Sequence, residues 1–158
     1  MPVAIYQETV DALNATIMAR DIEGFYRLVA LPFFVSLPSS QVIISSVEEL
    51  DLMLCDFHAQ LRHKKVTQYR RICLQASFQQ HDRNMIVGVH RSEILSHGTY
   101  VVEPFLVHSA FIKVEGVWRN FWEQVVINQT HLELIHPDLI KAQSEAQKRM
   151  AARSGSDI

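Results

Sequence analysis

The hydrophobic period of this chain changes near Lys65, and that change constrains the fold more than any other feature of the sequence. Before it, apolar residues recur about every 3.6 positions, the period of a helix with one buried face. After it they alternate with period two, the mark of strands. Leu50, Met53, Leu54, Phe57 and Leu61 lie on one helical stripe, behind a capping-box pattern of Ser46 and Glu49. The spacing predicts a helix over residues 47–63. Ile5, Val10, Leu13, Ile17 and Met18 predict an earlier one over 3–19. Asp21 suits the N-cap of a second, short helix running to about residue 30 and stopped by Pro32. Short strands are expected at 33–35 and 41–45.

Beyond Lys65, four long period-two segments follow, at 67–80, 85–95, 100–114 and 117–128. Their connections are short, and His97-Gly98 and Glu115-Gly116 supply the positive φ of tight hairpin turns. The expected fold class is therefore α+β, with helices packed on an antiparallel meander. The chain has 158 residues, enough for one core without disulfide or metal staples. Residues 1–130 are expected to form that domain, and 131–158 a polar helix and frayed tail.

The order of elements and three local motifs resemble the nuclear transport factor 2-like superfamily, with its ketosteroid isomerases and SnoaL-like cyclases. The motifs are Asp21-Ile22-Glu23-Gly24-Phe25-Tyr26, the Leu31-Pro32 exit, and the Glu115-Gly116-Val117-Trp118-Arg119 turn. The resemblance runs from about Tyr6 to Asn128. It implies a cystatin-like α+β roll: a cone-shaped, strongly curved sheet wrapped around N-terminal helices, with a pocket at the wide end. It also implies pairing of two copies through the sheet. Activities on this fold vary, so the fold names no reaction. Steroid isomerases of the group use a tyrosine and two aspartates, yet Asp82 is the one aspartate in 67–128 and falls in a turn. Related dehydratases use two histidines with tyrosines, and no such pair can be matched here. No catalytic residue carries over.

Hairpin register assigns faces. A two-residue turn at His97-Gly98 sets Arg91 opposite Pro104, and one at Glu115-Gly116 sets His108 opposite Glu123. The face holding Ile72, Val87, Val89, Leu106 and Ala110 is the more apolar and is expected to be concave. Its polar exceptions are Arg91, Glu93, His108 and Glu123. A histidine held by a carboxylate can move a proton near neutral pH, so His108 and Glu123, with Arg91 near them, are the expected catalytic groups. The other face carries Arg71 along with Phe105, Phe111 and Trp122 and is expected to be the dimer surface. A β-bulge would exchange the two faces, and His90, Glu103 and Asn120 would then point into the cone.

The expected function is a small-molecule-binding pocket, with acid–base isomerase, dehydratase or cyclase chemistry on an apolar substrate. The alternative is a non-catalytic ligand-binding or dimeric interaction domain. Two cysteines, Cys55 and Cys73, read as buried apolar groups. His58 and His63 are five apart, and there is no Cys-x-x-Cys, so neither a metal nor a cofactor is expected. Fifteen Lys and Arg against seventeen Asp and Glu argue against nucleic-acid binding. With no signal-peptide pattern and no apolar run long enough to span a bilayer, a cytoplasmic location away from membranes is expected.

Overall fold

The computed structural model of the chain describes residues 1–126. The tail expected at 131–158 lies outside them. Helix α1 spans Pro2–Ala19, with proline in its first turn, where the missing N–H costs nothing. Tyr6, Val10, Leu13 and Ile17 form its buried stripe. Helix α2 spans Ile22–Arg27, capped by the Asp21 carboxylate on the Gly24 N–H at 3.0 Å. Helix α3 spans Val47–His63, with Ser46 capping the Glu49 N–H. Its five expected apolar residues are all buried.

Seven strands form one sheet: β1 Val29–Leu37, β2 Ser40–Ile44, β3 Gln68–Gln79, β4 Asp82–Ser96, β5 Thr99–Tyr100, β6 Phe105–Val114 and β7 Val117–Val126. The order is β2-β1-β7-β6-β4-β3, with β5 beside β4. β1 lies parallel to β7 and every other pair is antiparallel. The expected meander is present, with one parallel strand added. Pro32 does not end a helix. It lies inside β1, ahead of the stretch from Phe33 that pairs with β2. A curved sheet thus wraps the helices, with the core between them.

Both hairpin turns have the expected register: Ser96 lies opposite Thr99, and Val114 opposite Val117. Within the meander, three irregularities alter the pairing away from the turns. The third segment breaks at residues 101–104, so Arg91 lies opposite Leu106 and not Pro104. Leu74 is an extra residue in β3, between the Cys73–His90 and Gln75–Val89 pairs. Phe121 is an extra residue in β7, between the Asn120–Phe111 and Trp122–Ala110 pairs. Each bulge reverses the facing of its strand from that point on.

Helix α1 also engages the outer edge of β3. The Gln7 side chain donates to the Arg71 carbonyl at 2.7 Å and accepts from the Cys73 N–H at 2.8 Å. Two turns on, Asn14 donates to the Tyr69 carbonyl at 3.2 Å.

Candidate functional site

Register places the sheet's side chains in cross-strand rows. On the concave face one row holds Arg71, Ser92 and Phe105, and the next Cys73, His90, Val107 and Val125. A third holds Ala76, Gly88, Ser109 and Glu123, and a fourth Phe78, Ile86, Phe111 and Asn120. Expectation had put the more apolar face inside. The structure reverses this: Ile72, Val87, Val89, Leu106 and Ala110 belong to the convex face. Phe105 and Phe111, expected on the dimer surface, are buried in the core, while Trp122 does face outward.

A cavity of about 60 Å³ lies between the concave face and the helices. Leu13 and Ile17 of α1, Phe25 of α2, and Met53 and Phe57 of α3 form its apolar side. Arg71, His90, Asn120 and Glu123 enter it from four positions on the sheet.

Arg71 is 7% exposed. Its Nε donates to the Tyr69 hydroxyl at 3.0 Å and its Nη1 meets Glu123 Oε1 at 3.4 Å. Burial opposes its charge, but Tyr69 and Glu123 outweigh that, and the guanidinium pKa stays above its ordinary value. Asn120 donates from Nδ2 to the same Glu123 oxygen at 2.7 Å. The Phe121 bulge is what makes this contact possible. Residues three apart on a regular strand face opposite ways, and the extra residue turns both inward.

His90 is fully buried on β4, and its Nδ1 lies 2.6 Å from the Tyr6 hydroxyl. Tyr6 reaches it by lying close against Gly88, where a Cβ would come within 2.6 Å of the ring. Burial, then the charge of Arg71 and the neighbouring His108, push the His90 pKa down to about 2. Burial also raises the Tyr6 pKa well above its usual value. The pair is a neutral imidazole against a neutral phenol at any physiological pH. Three buried polar atoms of the concave face have no hydrogen-bond partner: His90 Nε2, Asn120 Oδ1 and Ser92 Oγ.

Of the residues singled out from the sequence, the cavity is lined by Glu123, His90 and Asn120. The expected His108–Glu123 pair does not form. The Phe121 bulge sets Glu123 opposite Ser109 and His108 opposite Gln124, which leaves His108 half-buried on the convex face. Arg91 is also convex, half exposed, and bonded to the buried Glu93 at 2.7 Å alongside Arg70. Glu103 is exposed in the segment between β5 and β6. Sequence reasoning missed Arg71, which it set on the outer face, and Tyr6, which it left out of the α1 stripe. A five-residue step from Ile5 to Val10 was the available signal, since Tyr6 restores a four-residue step. Among the described residues, no three His, Cys, Asp or Glu side chains gather as a metal site, and no helix is long and apolar enough to cross a membrane.

No family model matches the chain, and no curated protein matches it. Solved structures do. A nuclear transport factor 2-like protein of unknown function from Shewanella oneidensis superposes with a TM-score of 0.60 at 7% identity, over 79% of this chain and 98% of that one. A protein described as a candidate ketosteroid isomerase, from Shewanella frigidimarina, gives 0.60 at 11% identity, over 77% and 94%. A cystatin-like protein of unknown function from Nostoc punctiforme gives 0.57 at 15% identity, over 84% and 94%. At these identities the likeness is one of fold, and the chain has the curved-sheet fold of the nuclear transport factor 2-like superfamily.

Proposed function

We propose that the cavity binds a small, largely apolar molecule and that Glu123 moves a proton on it. One observation carries this reading: four polar or charged side chains converge on a cavity whose other walls are apolar. Apolar walls with a few placed polar groups are how small-molecule sites are built. Arg71 and Asn120 both bond Glu123 Oε1, which fixes the carboxylate in place at the cavity wall. The step is a proton transfer. The carboxylate takes a proton from an acidic carbon of the ligand and returns it, to the same carbon or to another.

The test uses acetone, a ketone small enough for a cavity of about 60 Å³, as the probe in deuterated water. Binding is followed by shifts of the Val107 and Val125 methyl signals, and proton transfer by loss of the α-proton signal. Glu123→Gln should slow exchange about 10²-fold or more, the low end for general acid–base catalysis. Binding without exchange in the wild type would favour the non-catalytic reading. The absence of any cavity shift would overturn both.

A second observation favours a further partner. Leu106 and Val126, opposite each other on the convex face, are 40% and 45% exposed, with Ile72 in the same row and Trp122 two rows away. We propose that a second copy of the chain covers this face, since an apolar sheet surface of this kind marks an interface.

A further inference from the structure

We infer that Tyr6 locks His90 as the tautomer with its proton on Nε2, so that the cavity accepts ligands carrying a carbonyl-type oxygen at His90 and a hydroxyl or N–H donor at Asn120. The inference rests on the cavity being a ligand site and assigns the polarity of that ligand.

The tautomer follows from the 2.6 Å contact between the Tyr6 hydroxyl and His90 Nδ1. One of these two groups donates and the other accepts. A phenol is a better donor than an imidazole N–H, and an unprotonated imidazole nitrogen is a better acceptor than a phenol oxygen. The favourable arrangement is therefore O–H donating to Nδ1. A neutral imidazole carries its single proton on the other nitrogen, so Nε2 bears it. His90 is fully buried and lines the cavity, and its Nε2 has no partner in the protein. A buried donor without a partner is costly relative to a satisfied one, so a ligand oxygen placed there recovers that loss.

Asn120 is fixed by the same accounting. It is 2% exposed, and the group facing Glu123 Oε1 at 2.7 Å must be its NH2, because a carboxylate only accepts. Its Oδ1 is then an acceptor, buried and unpartnered. Besides the paired Arg71 and Glu123, the cavity thus offers an unpaired donor at His90, set by Tyr6, and an unpaired acceptor at Asn120, set by Glu123. Tyr6 does not line the cavity, and its role is that of a positioning residue.

Two measurements test this. The first needs no ligand: the ring-nitrogen chemical shifts of His90 at neutral pH. A protonated Nε2 and a lone-pair Nδ1 are expected, and Tyr6→Phe should convert the ring to a mixture of tautomers. A proton on Nδ1 in the wild type, or an imidazolium, would overturn the inference, and this arm stands even if Tyr6→Phe fails to fold. The second compares acetone with isobutene, which share a shape and differ by an oxygen in place of a CH2 group. Acetone is expected to bind about tenfold or more tightly and to shift the His90 Nε2–H resonance. Equal binding of the two would overturn the donor role of His90 while leaving the cavity a ligand site. If neither moves a cavity resonance, it is the ligand-site reading that fails, and the nitrogen shifts still decide the tautomer.

Discussion

Arg71 on β3 and Glu123 on β7 meet at 3.4 Å although two whole strands, β4 and β6, lie between theirs. In a flat sheet, three strand spacings would hold their backbones about 14 Å apart. The sheet's curl and the length of the arginine close that gap, so the ion pair ties one side of the curved sheet to the other across the cavity.

Removing one partner should therefore be felt in stability as well as in the site. Glu123→Gln leaves a buried guanidinium without its counter-ion, and breaking a buried pair typically costs 3–5 kcal/mol. Because Glu123 retains 16% exposure, the expected loss is about 3 kcal/mol. Urea unfolding measures it, and a loss below about 1 kcal/mol would mean that water already screens the pair.

Acid should weaken the fold through His90. In the folded chain its pKa is pushed to about 2, whereas in the unfolded chain it lies near 6.5. Below about pH 6.5 the unfolded chain takes up a proton that the folded chain refuses. The stabilisation is complete above that pH and falls by up to about 1.4 kcal/mol per unit as the pH drops toward 2. His90→Gln should flatten the stability profile between pH 4 and 6.5. A wild-type profile with the same slope as the variant would contradict a buried neutral His90.

Gly88 is required for lack of room. A methyl group there would meet both the Tyr6 ring and the Gln75 carbonyl at 2.6 Å. Gly88→Ala should cost about 1–3 kcal/mol, as overpacking does. At roughly 2–4 °C per kcal/mol for a chain of this size, calorimetry should show a clear drop in Tm.

The convex face supplies a fourth expectation. Sedimentation at micromolar concentration should show a dimer, and Leu106→Asp or Trp122→Asp should release an 18.2 kDa monomer. A wild-type chain that sediments only as monomer, or variants that stay dimeric, would remove this face from consideration.

How far the sequence could be read depends on what each element asks of it. Helix α3 was legible to the residue, because its stripe and its Ser46 cap are local signals. Both hairpin turns were legible from His97-Gly98 and Glu115-Gly116, which do take positive φ. The facing of the strands was not. On β6, Phe105, Val107 and Phe111 alternate with Leu106, Ala110 and Ile112, so both faces are apolar and alternation has nothing to choose between. The bulges at Leu74 and Phe121 then reverse the facing in mid-strand, and neither residue differs in type from a regular strand residue. Half of the site was out of reach for the same reason: Arg71 was assigned outward, and Glu123 was given the wrong partner.

The side-chain amides of Gln7 and Asn14 occupy Tyr69 O, Arg71 O and Cys73 N, which are backbone groups that β3 would otherwise offer to a neighbouring strand. A helix standing in for the next strand leaves the Tyr69–Cys73 stretch of that border with little to template, and another chain cannot extend the sheet along it without first displacing α1.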